Sequence, residues 1–561
     1  MNPRSVRNVC PMLGLVLLAR CSSDPPPDPC PSPLSGVNER LAALPQGASA
    51  WRCVPVGDER THAPDDLPDP AWRALRPTGG VFFVRAGAAL GGDGSRSRPF
   101  AGLDAALRTP AGSTIVLARG RHSVEATLTI TDERTIVGAG TDDRGTTLDV
   151  ARGTSGLVVD GSAATLTVAG IKVVYSSSAS SSQTERLREI ALQARGGARL
   201  TLRDVLISGA GIPSVQVDGV GSTLDADQST VREGRGNGVV LSGGARGLLR
   251  RSVAVANVGA GVYVERSHLH VVTGQLADNG AGGIHYREAG DATGGAASCA
   301  SDDPLAESGP RDCLRDVLIT CNGISGLYAS GARTVELWRS AIVDTRATVA
   351  SSGDGLSVLG GARIELDPDL RAHAELPLSA PEPDLAVGTR VLANHRAGIV
   401  VSGPGSSLDL RGSAIESNRQ GGVIVQDGAN LRSVQAARIA NNTAVGLAMT
   451  ETTTVTEITR SHFLATRTGM FRSSRGEILV GDGLSMASAA GMRVTQSRFE
   501  QSGRFGLLLS GVRAEVTDNR GDGNRYGIGN YNPPADGLTL ERNRILGAEM
   551  PPATLPPVVT R

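Results

Sequence analysis

The sequence predicts an all-β chain wound as a right-handed parallel β-helix. Three observations carry this: a recurring Asn-x-x-x-Gly-aliphatic pattern, short alternating apolar stretches between its copies, and a composition rich in glycine and poor in aromatics. The pattern stands at Asn257 (NVGAGV), Asn279 (NGAGGI), Asn322 (NGISGL), Asn394 (NHRAGI), Asn418 (NRQGGV) and Asn442 (NTAVGL), with near copies at Ser502 and Asn524. Successive asparagines are 22, 43, 72, 24 and 24 residues apart, and Ser502 lies 22 before Asn524. A period in this range marks a repeat architecture. The longer gaps read as near multiples of one unit, each hiding one or two degenerate coils.

What lies between the copies selects the architecture. After Gly261 come Val262-Tyr263-Val264, then Leu269-His270-Val271, then Gln275-Leu276-Ala277 before the next asparagine. Three short strands per unit, separated by Gly, Asn and Ser, follow strand periodicity and leave no room for helices of ten or more residues. Propeller blades need about 40 residues. Asparagine suits the corner because it tolerates the left-handed conformation of a sharp turn. Its amide can also bond to the same amide one coil away. The glycine four residues on is expected to let the chain re-enter a strand without steric cost.

Length and composition agree. At 561 residues the chain exceeds a usual compact domain, but a solenoid extends by stacking. Its 72 glycines, 3% aromatics and 40% hydrophobic residues suit a narrow aliphatic core. Lys+Arg and Asp+Glu number 56 each, scattered without runs, which excludes the concentrated basic surface that nucleic-acid binding requires. Lys172 is the only lysine, which we read as genome composition.

With its asparagines in place, the chain resembles the pectin-lyase-like β-helix superfamily, whose coils carry an asparagine ladder at one turn. A second stretch supports the likeness. Val81-Phe82-Phe83-Val84, a Gly/Asp loop from Gly91, Pro99-Phe100, a short helix bearing Leu103, Ala106 and Leu107, and Thr114-Ile115-Val116-Leu117 follow in order. This is similar to the superfamily's opening of strand, loop, capping helix and first coil. A cap protects an otherwise exposed sheet edge. The coils are expected over residues 80–545, with a disordered tail over 546–561.

The N-terminus reads as an address. Arg4 and Arg7 precede an apolar stretch from Val9 to Ala19, too short to span a bilayer, so residues 1–20 are expected to be a secretory signal. Leu17-Leu18-Ala19-Arg20-Cys21 resembles the bacterial lipobox and implies lipid attachment at Cys21. Arg20 departs from the small residue usual there, and plain secretion is the alternative. Residues 21–79 begin Pro-, Ser- and Asp-rich and read as a tether. Ser22, by the same resemblance, implies the outer membrane of a cell envelope. Outside the cytoplasm disulfides persist. Cys299 and Cys313 can staple the ends of a Gly/Ser/Asp/Pro-rich insertion at 287–312, and Cys30 and Cys53 can close the N-terminal segment. Cys321 is left over, or takes the place of Cys313.

No complete catalytic motif emerges. The motifs of polygalacturonases are missing, and Asp367-Pro368-Asp369 echoes the Asp-Pro-His-Asp of mannuronan epimerases without its histidine. Asp142-Asp143 and Asp302-Asp303 read as solvated turns, as do the Gly-Asp-Gly triplets at Asp93, Asp354, Asp482 and Asp522. No metal or cofactor is expected. His268 and His270 alternate on one strand and share a face, and His285 follows about a coil later. With Tyr263 and Tyr286 they form the candidate ligand patch. The expected function is a surface-anchored β-helix lipoprotein with a structural or polysaccharide-binding role. A polysaccharide lyase or glycoside hydrolase is the alternative.

Overall fold

The protein is known here from a computed structural model that describes residues 79–175, 189–288, 311–347, 353–368, 388–473, 476–534 and 537–552. The signal stretch, the tether, Cys21, Cys30, Cys53, Cys299, Asp302, Asp303 and Asp369 lie outside the described residues.

One coil shows how the chain winds. Ala260–Glu265, His268–Val272 and Gln275–Ala277 are successive strands that pair with the next coil rather than with one another. Val262 opposes Ile284, His270 opposes Cys313, and Gln275 opposes Leu318, all in parallel register. Repeated along the chain, this gives a right-handed β-helix with three faces. In this coil, the first face carries His268–Val272, the second Gln275–Ala277 and the third Ala260–Glu265. The third face is a continuous 15-stranded sheet. The first two merge into one 31-stranded sheet because Thr165–Tyr175 and Arg199–Ser208 run unbroken around the corner between them.

Alternation within each strand builds the core. Val262 and Val264 point inward and are fully buried, while Tyr263 between them stays half-buried on the outside. Inward aliphatics from Val84 to Ile545 form one continuous cluster. The few aromatics admitted to it stack: Phe463 and Phe499, one coil apart, lie with ring centroids 4.8 Å apart.

The asparagines stack in one column at the corner between the second and third faces. Asn257 Nδ2 donates to Asn279 Oδ1 at 2.9 Å, and Asn279 Nδ2 to Asn322 Oδ1 at 3.0 Å. Asn394 Nδ2 donates to Asn418 Oδ1 at 2.9 Å, and Asn418 Nδ2 to Asn442 Oδ1 at 2.9 Å. Each acceptor oxygen also takes the backbone N–H of the donor asparagine, as Asn394 N does to Asn418 Oδ1 at 3.0 Å. The amide therefore satisfies groups that a buried corner would otherwise orphan.

Two expectations about this corner change. The left-handed residue is the one before the asparagine: Ala256, Asp278, Cys321, Ala393, Ser417 and Asn441 have φ between 54 and 58. Asparagine is there for its amide. Nor is the glycine there for its dihedrals. A Cβ on Gly398 would lie 2.7 Å from Asn418 Nδ2 and from Gly422 O, so the neighbouring ladder amide excludes a side chain. The gap of 43 residues also holds no hidden coil, because Asn279 bonds directly to Asn322 and the excess falls in the excursion over 289–310. The gap of 72 holds one coil, in which Thr345 takes the ladder position and donates its N–H to Asn394 Oδ1.

A second polar column runs along the corner between the first and second faces. Ser229 N donates to Ser252 Oγ, Ser340 N to Thr389 Oγ1, Ser461 N to Ser497 Oγ, and Ser497 N to Asn519 Oδ1. At the N-terminal end, a four-residue helix, α1 (Leu103–Ala106), follows the edge strand Val81–Val84 and buries Leu103 and Ala106 in the core cluster. At the other end the last strands are Leu538–Glu541 and Arg544–Gly547, where Leu540 and Leu546 are exposed. Among the described residues no helix is long and apolar enough to cross a membrane.

Candidate functional site

The five residues of the expected ligand patch fall on three different surfaces. Tyr263 and His285 are register partners on the outside of the third face, with Tyr328 next in the column and its ring centroid 5.5 Å from that of His285. Tyr286 points the other way and is fully buried in the core. His268 and His270 lie on the first face. Burial, reinforced by neighbouring His268, pushes the His270 pKa down to about 4, so its imidazole is neutral near pH 7. Burial lowers the pKa of His285 as well. Period-two alternation sends Tyr286 inward because its neighbour His285 points outward.

Beneath His268 lies a buried polar cluster. Asp312 accepts the Leu269 N–H at 2.8 Å, pairs with Arg333 Nη1 at 3.1 Å, and stands 3.9 Å from His268 Nδ1. The Arg333 guanidinium lies 4.8 Å from the centre of the Tyr286 ring. Burial raises the pKa of both Asp312 and Tyr286.

A further constellation of charged side chains on an outer surface lies farther along the first face. Starting from His270, one register column runs through Cys313, Glu336, Glu365, Asp409 and Ser433. It places three carboxylates on consecutive coils, with adjacent strands about 4.8 Å apart. Like charges this close repel, so partners must compensate them. Arg311 pairs with Glu336, which also accepts from Trp338 Nε1 at 3.2 Å. Arg363 bridges Glu365 at 2.7 Å and Asp409 at 3.2 Å, and Ser433 Oγ donates to Asp409 at 2.6 Å. The Glu336 hydrogen bond raises the Arg311 pKa further. Although all three carboxylates sit on an outer face, Glu336 is only 2% exposed and Glu365 and Asp409 6%.

The segments 289–310 and 369–387, outside the described residues, adjoin these strands in sequence, the first just before Arg311–Arg315 and the second just after Arg363–Leu366. Cys313 is disulfide-bonded, to a cysteine outside the described residues, and Cys321 keeps a buried thiol.

Chemically, arginine forks beside fixed carboxylates can hold sugar hydroxyls and acidic substituents. Paired carboxylates on a common face are also the groups that glycosidic-bond cleavage employs. Among the described residues no group of three or more His, Cys, Asp or Glu is arranged to hold a metal ion. The triplets at Asp354 and Asp482 are not turns: both aspartates open third-face strands and are clasped through two bonds, by Arg396 and Arg504 respectively. Asp367 is a corner acceptor, taking the Arg339 N–H at 2.8 Å and the Thr389 N–H, and Asp142 caps its own turn through Arg144 N.

The carboxylate column escaped the sequence reading although it left a trace. Each member lies between two aliphatics, as Val335-Glu336-Leu337, Ile364-Glu365-Leu366 and Leu408-Asp409-Leu410. Their separations of 29 and 44 residues are not commensurate, because chain of unequal length lies between the coils, including 348–352 in the first interval and 369–387 in the second.

No protein-family model matches the chain, and no curated protein does. Several solved structures match. The A-module of mannuronan C-5 epimerase AlgE4 from Azotobacter vinelandii is 15% identical, with 84% of this chain and 100% of that one covered and a TM-score of 0.33. The pectate lyase Pel9A is 14% identical over 79% and 78% of the two chains, TM-score 0.28. The catalytic domain of a GH87 alpha-1,3-glucanase is 12% identical over 88% and 70%, TM-score 0.32. Activity and substrate do not carry over from such overlaps, and the strand pairing described above is what establishes the fold.

Proposed function

We propose that the protein engages a polysaccharide across the first face of the β-helix, over Glu336, Glu365 and Asp409. The supporting observation is the column itself: three carboxylates on consecutive coils of one outer face, bridged by Arg311 and Arg363, beside Trp338. In this reading the partly exposed Arg363, held in place by Glu365 and Asp409, meets sugar hydroxyls and Trp338 offers a ring to a pyranose. The protein acts as an exported lipoprotein held through Cys21, in a binding role.

Titration of the purified chain with a panel of neutral and acidic glycans tests this. Glu365→Gln should weaken binding about tenfold, as expected for losing one charge-assisted hydrogen-bond partner. Unchanged affinity would remove the first face from consideration. Cleavage is the second reading, favoured by the adjacent carboxylates. It requires Glu336, Glu365 or Asp409 to support release of reducing or unsaturated ends, and none released from any glycan would end it. The anchor is tested separately: Cys21→Ser should move the protein from the membrane to the soluble fraction.

A further inference from the structure

The outer side of the third face changes character partway along the rod. Each strand of this face turns two side chains outward from its second half, as Ala260–Glu265 does with Tyr263 and Glu265. In the six strands from Leu157–Asp160 to Gly282–Arg287 the second of these is Asp160, Arg195, Asp218, Ser242, Glu265 and Arg287, charged in five of the six. In the eight strands that follow, from Ser325–Ser330 to Tyr526–Tyr531, neither outward position carries a charge.

Charges at the margins of this stretch are satisfied within the chain. Asp354 is clasped by Arg396 and Asp482 by Arg504, and Asp427 accepts from Ser402 and Gln426. The stretch is also level: Ser357, Val400, Ala448 and Leu508 are buried, which leaves the partly exposed Tyr328, Leu359 and Ile424 as its apolar prominences. The antiparallel hairpin of Gly469–Ser473 and Gly476–Val480 rises at the corner beside it. On the strands to either side, Thr450 is exposed and Ala487 partly so, and the hairpin leaves those positions uncovered. A sheet face that meets only water carries polar and charged residues. Eight strands without a charge, in a chain that is 20% charged, fit an uncharged surface better than water.

We infer that this face binds a second copy of this chain, the two rods lying antiparallel with their third faces together. The two-fold axis runs along the strand direction, between Gly421–Gln426 and Val445–Thr450. It sets Ile424 against Ala448 of the second copy and Leu359 against Ser510, so a large side chain meets a small one at each prominence. Direction follows from where charge stops. The charge-free run reaches the last strand of the face, so antiparallel rods overlap over it alone, and Glu265 and Arg287 project beyond the end of the second copy. Parallel rods would bring each of these charges to its own counterpart. Eight strands about 4.8 Å apart and about 20 Å long cover roughly 750 Å² per copy, about 1,500 Å² in all, the size of a stable interface. On each hairpin the register partners Met470 and Leu479 are 47% and 57% exposed and stand at the edge of the second copy's central strands. The first face of both copies stays open, so pairing is independent of any glycan engaged there.

Sedimentation of the purified full chain tests this. At about 10 µM the native chain should sediment as a dimer, in high salt as in low, because no ion pair holds it. Ile424→Arg should raise the dissociation constant at least about tenfold by carrying two charges into the interface, with its thermal midpoint unchanged. Tyr263→Arg, on the same face but outside the overlap, should leave the dimer intact. Oxidation should join copies of the double variant Ser402→Cys/Ala487→Cys, whose cysteines face each other across the axis, and should not join copies of Ser402→Cys alone. The proposal is overturned by a native monomer, by a dimer that salt dissociates or that survives Ile424→Arg, or by loss of the dimer in Tyr263→Arg. Cross-linking of Ser402→Cys alone, or none in the double variant, would overturn the antiparallel arrangement and the proposal with it.

Discussion

Single residues in this rod are chosen for where their polar atoms end up. Asp367 shows the consequence most clearly. It is buried at the corner between the first and second faces, where its carboxylate bonds to Thr389 and Ser413 of the polar column and to the Arg339 N–H. Burial raises its carboxyl to about 6 from 3.8, against the lowering effect of the N–H groups it accepts. The folded chain therefore holds this proton where the unfolded chain has lost it, so the stability it contributes is present below pH 4 and lost as pH rises to 6. The size is on the order of 3 kcal/mol. His270, with its lowered pKa, works in the opposite direction over a similar range, so the group must be isolated by difference. Thermal midpoints of native chain and Asp367→Asn should differ more in the native chain's favour at pH 4.5 than at pH 7. A gap that stays constant with pH would rule out the raised carboxyl.

At the scale of the element, the unit is the corner rather than the strand. Strands of three to six residues have little stability alone, and the ladder fixes where each ends. Asparagine and glycine act as one device across two coils: the amide of Asn418 occupies the space that a side chain on Gly398 would need. Gly398→Ala forces either the amide or the Gly422 carbonyl to move, and is expected to cost about 1–3 kcal/mol. Urea unfolding followed by circular dichroism measures this, and a midpoint within error of native would show that the corner yields freely. Asn418 was legible from its period, whereas the serine and threonine column at the other corner was not. Ser and Thr occur at many turns, and without a fixed spacing Ser229, Ser252 and Ser340 look like ordinary loop residues.

Over the whole molecule, contacts run between neighbouring coils, so stability is close to a sum of coils and interfaces. The two ends differ. The N-terminal edge strand is followed by a helix whose Leu103 and Ala106 join the core, while the last coil leaves Leu540 and Leu546 exposed. Opening should begin at the end where Leu540 and Leu546 are exposed. Amide exchange is expected to be slowest in the central coils around Leu408–Leu410 and fastest in Leu538–Glu541 and Arg544–Gly547. Uniform protection to the last strand would show that something else closes that end.

The sequence by itself determined the winding, because burial of alternating aliphatics and satisfaction of corner amides are local demands that repeat every coil and so appear as a period. It also marked Asn257, Asn279, Asn322, Asn394, Asn418 and Asn442 as one class. Only the tertiary structure decided which outer residues meet. Tyr263 and His285 join Tyr328, Tyr286 turns inward, and Glu336, Glu365 and Asp409 align across excursions of unequal length. Side chains on neighbouring coils become adjacent through register, and register depends on how much chain leaves the rod between one corner and the next.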